Sequence, residues 1–222
     1  MDRSRYIPAL SFRWLTPVYD AVLRWGMREE VFKRQLIQRA DIHAGQHILD
    51  LGCGTGTLTV MLKLSAPEAE ITGLDGDAEV LSIAKSKAAQ GGVNIQWQYG
   101  MAYKLPYADR SFDTVVSSLV IHHLVRADKA RTFREVHRIL RPGGAFHIVD
   151  FGHPFSALTR LEAATLRNLE EAADNFDGRI VGMLKEAGFE TVSEDERMNT
   201  IFGPIWFYQA VKGTVSDPGT PV

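Results

Sequence analysis

The stretch His47-Ile48-Leu49-Asp50-Leu51-Gly52-Cys53-Gly54-Thr55-Gly56 joins an apolar strand to a turn with glycine at every second position. A second apolar run, Ile71-Thr72-Gly73-Leu74-Asp75, ends in a single acid 25 positions after Asp50. Glycines in such a turn adopt backbone conformations that a β-carbon forbids, and they let a ligand lie directly on the main chain. Thr57–Leu64 reads as the helix that follows, so its free N–H groups and positive dipole end point into the same space. The chain is thereby confined to folds in which a strand hands over to a helix around a nucleotide-type ligand.

Two ligand classes compete for such a turn. A dinucleotide site wants the spacing G-x-G-x-x-G, with an acid about 20 residues on. Here the glycines fall at Gly52, Gly54 and Gly56, and Thr57 stands where the third glycine of that pattern belongs. Asp50, two residues before the first glycine, places a negative charge that suits a cationic ligand better than a pyrophosphate. S-adenosylmethionine fits: its amino group and sulfonium are positive, and an acid such as Asp75 can hold its ribose.

A length of 222 residues suits one α/β domain with a small elaboration. The formal net charge of −2 argues against a nucleic-acid footprint, which needs clustered Lys and Arg. Arg126, Lys129, Arg131, Arg134, Arg138 and Arg141 follow helical spacing with Asp128 and Glu135 interleaved, and read as a solvated face. The lone cysteine, Cys53, cannot form an internal disulfide and reads as a small packing residue of the turn in a reducing compartment. No apolar run approaches the ~20 residues of a membrane span, and Met1-Asp2-Arg3-Ser4-Arg5 is not followed by a signal-peptide core. These features together read as a cytoplasmic protein, monomer or homodimer, without integral membrane contact.

Residues 1–40 read as helical, interrupted near Gly26, and form an N-terminal lid. Beyond them, apolar runs at His47–Leu51, Glu70–Leu74, Ile95–Tyr99, Thr114–Leu119 and Ala145–Phe151 alternate with helical segments at Thr57–Leu64, Ala78–Gly91 and Lys129–Leu140. Alternation with short connections predicts a parallel sheet covered on both faces. Arg141-Pro142-Gly143-Gly144 is a helix stop feeding a strand. Ser156–Ala173 and Arg179–Ala187 read as helices of an insert at about 155–187, and Glu190–Glu194 and Ile205–Val211 as the sixth and seventh strands. The main domain spans 41–213, and the patternless 214–222 reads as a disordered tail.

The D-x-G-x-G-x-G pattern from Asp50 to Gly56 resembles motif I of the class I S-adenosylmethionine-dependent methyltransferases. The similarity covers about residues 40–155 and continues more weakly to Lys212. Within that class, three further elements resemble the ubiquinone/menaquinone C-methyltransferase group. They are Leu15-Thr16-Pro17-Val18-Tyr19-Asp20, Leu105-Pro106-Tyr107 with Ser111-Phe112-Asp113, and Ile139-Leu140-Arg141-Pro142-Gly143-Gly144. The resemblance implies a Rossmann-like, doubly wound sheet of seven strands, mostly parallel with an antiparallel last strand and helices on both faces. It also implies that Asp75 binds both ribose hydroxyls, that Met101 and Ala102 border the adenine, and that Ser118 ends strand four beside the cofactor. Many relatives carry Asp or Asn at the position of Met101, whose thioether packs on a ring but accepts hydrogen bonds poorly. Cys53, Thr55, Gly76, Ser117 and Tyr19 complete the expected cofactor site.

Methyl transfer from a sulfonium is an in-line displacement governed by positioning, and a base is needed only where the nucleophile must lose a proton. Open α/β sheets bind ligands beyond the carboxyl ends of their strands. The candidates there are His122 and His123 after strand four, Asp150 and His153 after strand five, and Tyr19 from the lid. Plain packing, capping or solvation also explains each of them. No metal-ligand spacing is present. Ser117-Ser118-Leu119-Val120 lacks the proline and aromatic of the D/N-P-P-Y/F element, which speaks against methylation of a flipped base. The residues therefore point to an enzyme that methylates a small-molecule acceptor. The alternatives are a non-catalytic S-adenosylmethionine-binding protein and, behind it, an NAD-dependent oxidoreductase.

Overall fold

The computed structural model describes residues 29–156, 159–160, 171–200 and 203–214. Tyr19, most of the expected lid, most of the expected Ser156–Ala173 helix and residues 215–222 lie outside the described residues. The elements run in the order α1 (Glu29–Ala40), β1 (His47–Leu51), α2 (Thr57–Ser65), β2 (Glu70–Asp75), α3 (Ala78–Gln90), β3 (Gln96–Tyr99) and β4 (Phe112–Ser118). A short 3-10 turn (Ile121–His123) follows, then α4 (Arg126–Ile139), β5 (Leu140–Phe151), α5 (Ala173–Phe176), α6 (Ile180–Glu186), β6 (Thr191–Thr200) and β7 (Gly203–Val211).

The seven strands form one sheet in the order β3-β2-β1-β4-β5-β7-β6. All neighbours pair in parallel except those of β7, which runs against both β5 and β6. This is the doubly wound sheet expected of strand–helix alternation, and the chain reverses its direction of winding between β1 and β4. In open α/β sheets, ligands bind at such a point, beyond the carboxyl ends of the strands.

Period-two alternation splits each central strand between two apolar layers. Ile48, Val116, Val149 and Phe207 meet Phe32 and Leu36 of α1 and Leu58 and Leu62 of α2. Leu49, Val115, Ile148 and Tyr208 meet Phe133 and Val136 of α4 and Ile180 and Leu184 of α6. Phe32, Leu36 and Ala40, four residues apart, form the buried stripe of α1.

Three differences from the sequence reading have local physical causes. β5 begins at Leu140, opposite Phe112, and the register resumes only at Ala145 opposite Thr114. Arg141–Gly144 is thus a bulge within the strand, with Gly143 at φ 79°. β6 runs on to Thr200 because its whole length pairs with β7, around a register shift between Glu194 and Glu196. As the edge strand it keeps charged side chains in solvent, which hides it from a search for apolar runs. Lys129 departs from the expected solvated face: it is fully buried in α4, and its Nζ donates to the Glu171 carbonyl at 2.5 Å.

Phe32 is fully buried at the centre of the α1 contact. Phe32→Ala should lower unfolding free energy by about 3–5 kcal/mol in urea denaturation, through lost transfer energy and the cavity left behind.

Candidate active site

All three glycines of the turn have positive φ: 72° at Gly52, 54° at Gly54 and 75° at Gly56. The Gly52 and Cys53 amides both donate to the Leu74 carbonyl at 2.8 and 3.0 Å, which fixes the turn to the end of β2. A β-carbon at Gly52 would lie 2.5 Å from Val120, and one at Gly56 would lie 2.8 Å from Ala84 and 2.9 Å from Trp97. Gly54 differs, because a β-carbon there would meet nothing within 4 Å. Two glycines thus serve close packing, and the middle one faces room.

Two carboxylates border this turn. Asp75 receives the Gly54 amide on Oδ2 at 2.8 Å and the Asp77 amide on Oδ1 at 2.9 Å. Asp77 in turn caps α3, accepting from the amides of Glu79 and Val80 at 2.8 and 3.2 Å. Asp50 is buried on the α2 side of β1, where the Thr59 hydroxyl donates to its Oδ2 at 2.6 Å. Burial pushes its pKa up to about 6 against the opposing pull of Thr59 and Lys33, and the Asp75 charge adds to the rise. Burial raises Asp75 too, although the amides of Gly54 and Asp77 oppose it. Lys33 is itself ion-paired with Glu29. The turn therefore holds two acids in a desolvated place where a cation would relieve both.

Gly76 links Asp75 to the Asp77 cap. Lys87 reaches across from α3 to the hydroxyls of Thr55 and Thr57 at 3.1 and 2.6 Å. The Cys53 thiol is buried and its pKa raised by burial and by Asp50 and Asp75, which rules against a thiolate nucleophile. Beyond β3, the Gly100 amide donates to the Asp75 carbonyl at 3.0 Å, which sets Met101 and Ala102 next to the end of β2. Met101 is half-buried in a turn closed by the Lys104 amide on its carbonyl at 3.0 Å.

At the end of β4, the Ser117 hydroxyl donates to the Leu51 carbonyl at 3.0 Å and so faces the core. The Ser118 hydroxyl oxygen is buried with no hydrogen-bond partner among the described residues. Leu119 then turns out of the strand at φ 57°, a conformation uncommon for a residue with a side chain. His122 follows, buried, with Nδ1 2.7 Å from Asp150 Oδ1. His123, half-exposed, lies against it with ring centroids 4.0 Å apart. His153 is joined to a different neighbourhood: its ring lies 4.2 Å from that of Trp206, and its Nδ1 is 3.3 Å from Glu194 Oε1. No cluster of three or more metal-ligating side chains occurs among the described residues.

Comparison with known proteins decides the family. Residues 48–144 match the methyltransferase domain family. The ubiquinone/menaquinone biosynthesis C-methyltransferase UbiE of Rubrivivax gelatinosus is 33% identical over 182 residues, 73% of this chain and 70% of that protein. The chain belongs to the class I S-adenosylmethionine-dependent methyltransferases, in the UbiE-like group.

A demethylmenaquinone methyltransferase of Deinococcus radiodurans is also 33% identical, over 66% of this chain and 61% of its own length. A SAM-dependent methyltransferase structure from Methanosarcina mazei shares the fold with a TM-score of 0.66 at 22% identity, covering 80% of this chain and 97% of that one. The methyltransferase takes S-adenosylmethionine as cofactor, as the glycine spacing and Asp50 lead one to expect. Neither the oxidoreductase nor the non-catalytic binder finds support among these relatives.

The residues present fit that cofactor. Open room at Gly54, an unsatisfied buried hydroxyl at Ser118 and two desolvated acids each suit a cationic, polar ligand. Sequence reasoning did not find Thr59, Lys87 or Asn175, whose Nδ2 donates to the Phe151 carbonyl at 3.1 Å. The acid–threonine spacing of nine residues across a strand-to-helix turn was the one available signal for Thr59.

The raised Asp50 carboxyl has a measurable consequence. It titrates near 6 when folded and near 3.8 when unfolded, so its charge destabilises the protein at pH 7 by about 3 kcal/mol. That loss disappears as pH falls through the window between the two values. Asp50→Asn should therefore melt higher than the parent at pH 7.5, with the gap closing toward pH 4, while cofactor affinity falls.

Proposed function

We propose that this methyltransferase transfers a methyl group to a small-molecule acceptor with a hydroxylated ring, of the quinone-precursor class. The relatives from Rubrivivax and Deinococcus, named for ubiquinone and menaquinone methylation, support that acceptor class. The observation that carries the cofactor part of the reading is the desolvated Asp75 carboxylate on the amide of Gly54, which faces open room.

S-adenosylmethionine supplies a methyl group on a positive sulfur that becomes a neutral thioether on transfer. In this reading Asp75 keeps lone pairs for the ribose hydroxyls beyond the two amides it already accepts. Gly52, Cys53, Gly54, Thr55, Gly56 and Gly76 give the ligand a main-chain floor. Met101 packs on the adenine, whose polar edge then relies on main-chain groups near Ala102. Ser118 offers its unsatisfied hydroxyl, and Ser117 holds the end of β4 in place. Asp50 acts through charge from beneath the turn.

His122 is the proton acceptor for the acceptor's hydroxyl, and His123 lines the entry beside it. Tyr19, the lid within 1–40 and the insert at 155–187 enclose the acceptor. The enzyme works in the cytoplasm, as a monomer or homodimer, without nucleic acid. Among the described residues no helix is long and apolar enough to cross a membrane.

Calorimetric titration with S-adenosylmethionine, S-adenosylhomocysteine and NAD tests the cofactor site. The first two should bind and NAD should not. Asp75→Ala removes a charged hydrogen-bond partner, a loss of about 1.5–3 kcal/mol, and should weaken both ligands about tenfold to a hundredfold. Gly54→Val fills the open face and should do the same or worse. Unchanged affinity in both folded variants would refute the site. Transfer of labelled methyl to demethylated quinols, and not to unhydroxylated rings, tests the acceptor.

A further inference from the structure

Asp150, the penultimate residue of β5, is buried and collects donors from three parts of the chain. Its Oδ2 accepts the amides of Val120 at 3.1 Å and Ile121 at 2.7 Å. Its Oδ1 accepts the Phe151 amide at 2.7 Å, faces His122 Nδ1 at 2.7 Å, and has Asn175 Nδ2 at 3.4 Å. A carboxylate held by three backbone amides stays ionised, and an ionised carboxylate only accepts hydrogen bonds. Burial alone would raise its pKa, yet His122 and the Phe151 amide hold it below the usual carboxylate range. The proton on His122 must then sit on Nδ1. In the neutral ring this leaves Nε2 as the basic nitrogen.

We propose that Asp150 is a positioning residue for proton removal from the acceptor, fixing His122 in its Nδ1–H tautomer and balancing the imidazolium that forms. The inference rests on the reading of His122 as the proton acceptor. In the step, the acceptor's O–H bond breaks, its electron pair stays on oxygen, and the proton passes to His122 Nε2. The positive charge gained by the ring is met by the Asp150 carboxylate 2.7 Å away. The same carboxylate pins the main chain on which the ring rides, just after the left-handed Leu119. Asn175 brings the insert into the arrangement, bridging Asp150 and the Phe151 carbonyl.

A purely structural Asp150, capping the turn after β4, makes a different prediction from a positioning one. Asp150→Asn should lower kcat on a hydroxylated ring acceptor by about a hundredfold, within the range of general-base effects, while KM and cofactor affinity stay within about threefold. Placed on top of His122→Gln, the same substitution should cost less than about threefold more, because the two act as one unit. An equal loss in both backgrounds would overturn the proposal. Nitrogen-15 NMR of the unmutated protein supplies a test that needs neither variant nor acceptor. Neutral His122 should carry its proton on Nδ1, and a proton on Nε2 would overturn the proposal even if Asp150→Asn fails to fold. If the protein methylates no hydroxylated ring, the acceptor reading falls, while the nitrogen spectra still decide the tautomer.

Discussion

The carboxylate of Asp75 joins the glycine turn, the end of β2 and the start of α3. One oxygen takes the amide of Gly54 in the glycine turn, and the other takes the amide of Asp77, which in turn caps α3. The carbonyl of Leu74, one residue earlier, receives the amides of Gly52 and Cys53. β2 therefore ends by gripping the turn that leaves β1, and the grip works only with the backbone of that turn in the left-handed region. Any residue with a β-carbon at Gly52 or Gly56 would collide with Val120 or with Ala84 and Trp97, so the turn could not close onto β2. The remaining architecture serves to bring the ends of β1, β2 and β4 to one level, which parallel pairing of these strands accomplishes.

Such a site is held against its own electrostatics. Burial raises the pKa of both Asp50 and Asp75 against the hydrogen bonds that each accepts, and the Asp75 charge adds to the rise at Asp50. A chain selected for stability alone would place an apolar or neutral side chain at Asp50, between the buried Leu49 and Leu51. Keeping the charge there makes sense where a positive ligand completes it, which ties a local destabilisation to the chemistry of the family. Leu119 belongs with it, since a left-handed leucine is unfavourable in isolation yet is followed by Val120 packed against Gly52 of the turn.

How much of this could be read beforehand depended on whether the signal was local. The glycine spacing is a backbone requirement written in residue type, so the turn and its acids were legible. The inner strands are buried on both faces and therefore appear as apolar runs, as in Ile48–Leu51. The charged half of β6 was illegible for the opposite reason: an edge strand keeps polar side chains in water and is defined by pairing with β7. Lys129 looks solvated on a helical wheel, and only the distant Glu171 carbonyl explains why it is buried. Asp150 stood at a strand end where acids commonly cap, and its partners Val120, Ile121, His122 and Asn175 lie 25 to 30 residues away.

That last separation matters for how the catalytic side is organised. The glycine turn is assembled from neighbours in the first half of the sheet, and its geometry follows from strand-turn-helix units. The other side of the β1–β4 switch is assembled by β5, whose Asp150 reaches back to the chain leaving β4 and forward to Asn175 on α5. Asn175 belongs to the segment that follows β5, so the carboxylate that faces His122 also meets that segment. Under the proposed role of His122, substitutions that shift Asn175 would alter proton removal without touching the glycine turn. In a fold whose glycine turn is rigidly specified, such coupling through one buried carboxylate would let the acceptor side of the proposed site vary while the methyl donor stays where it is.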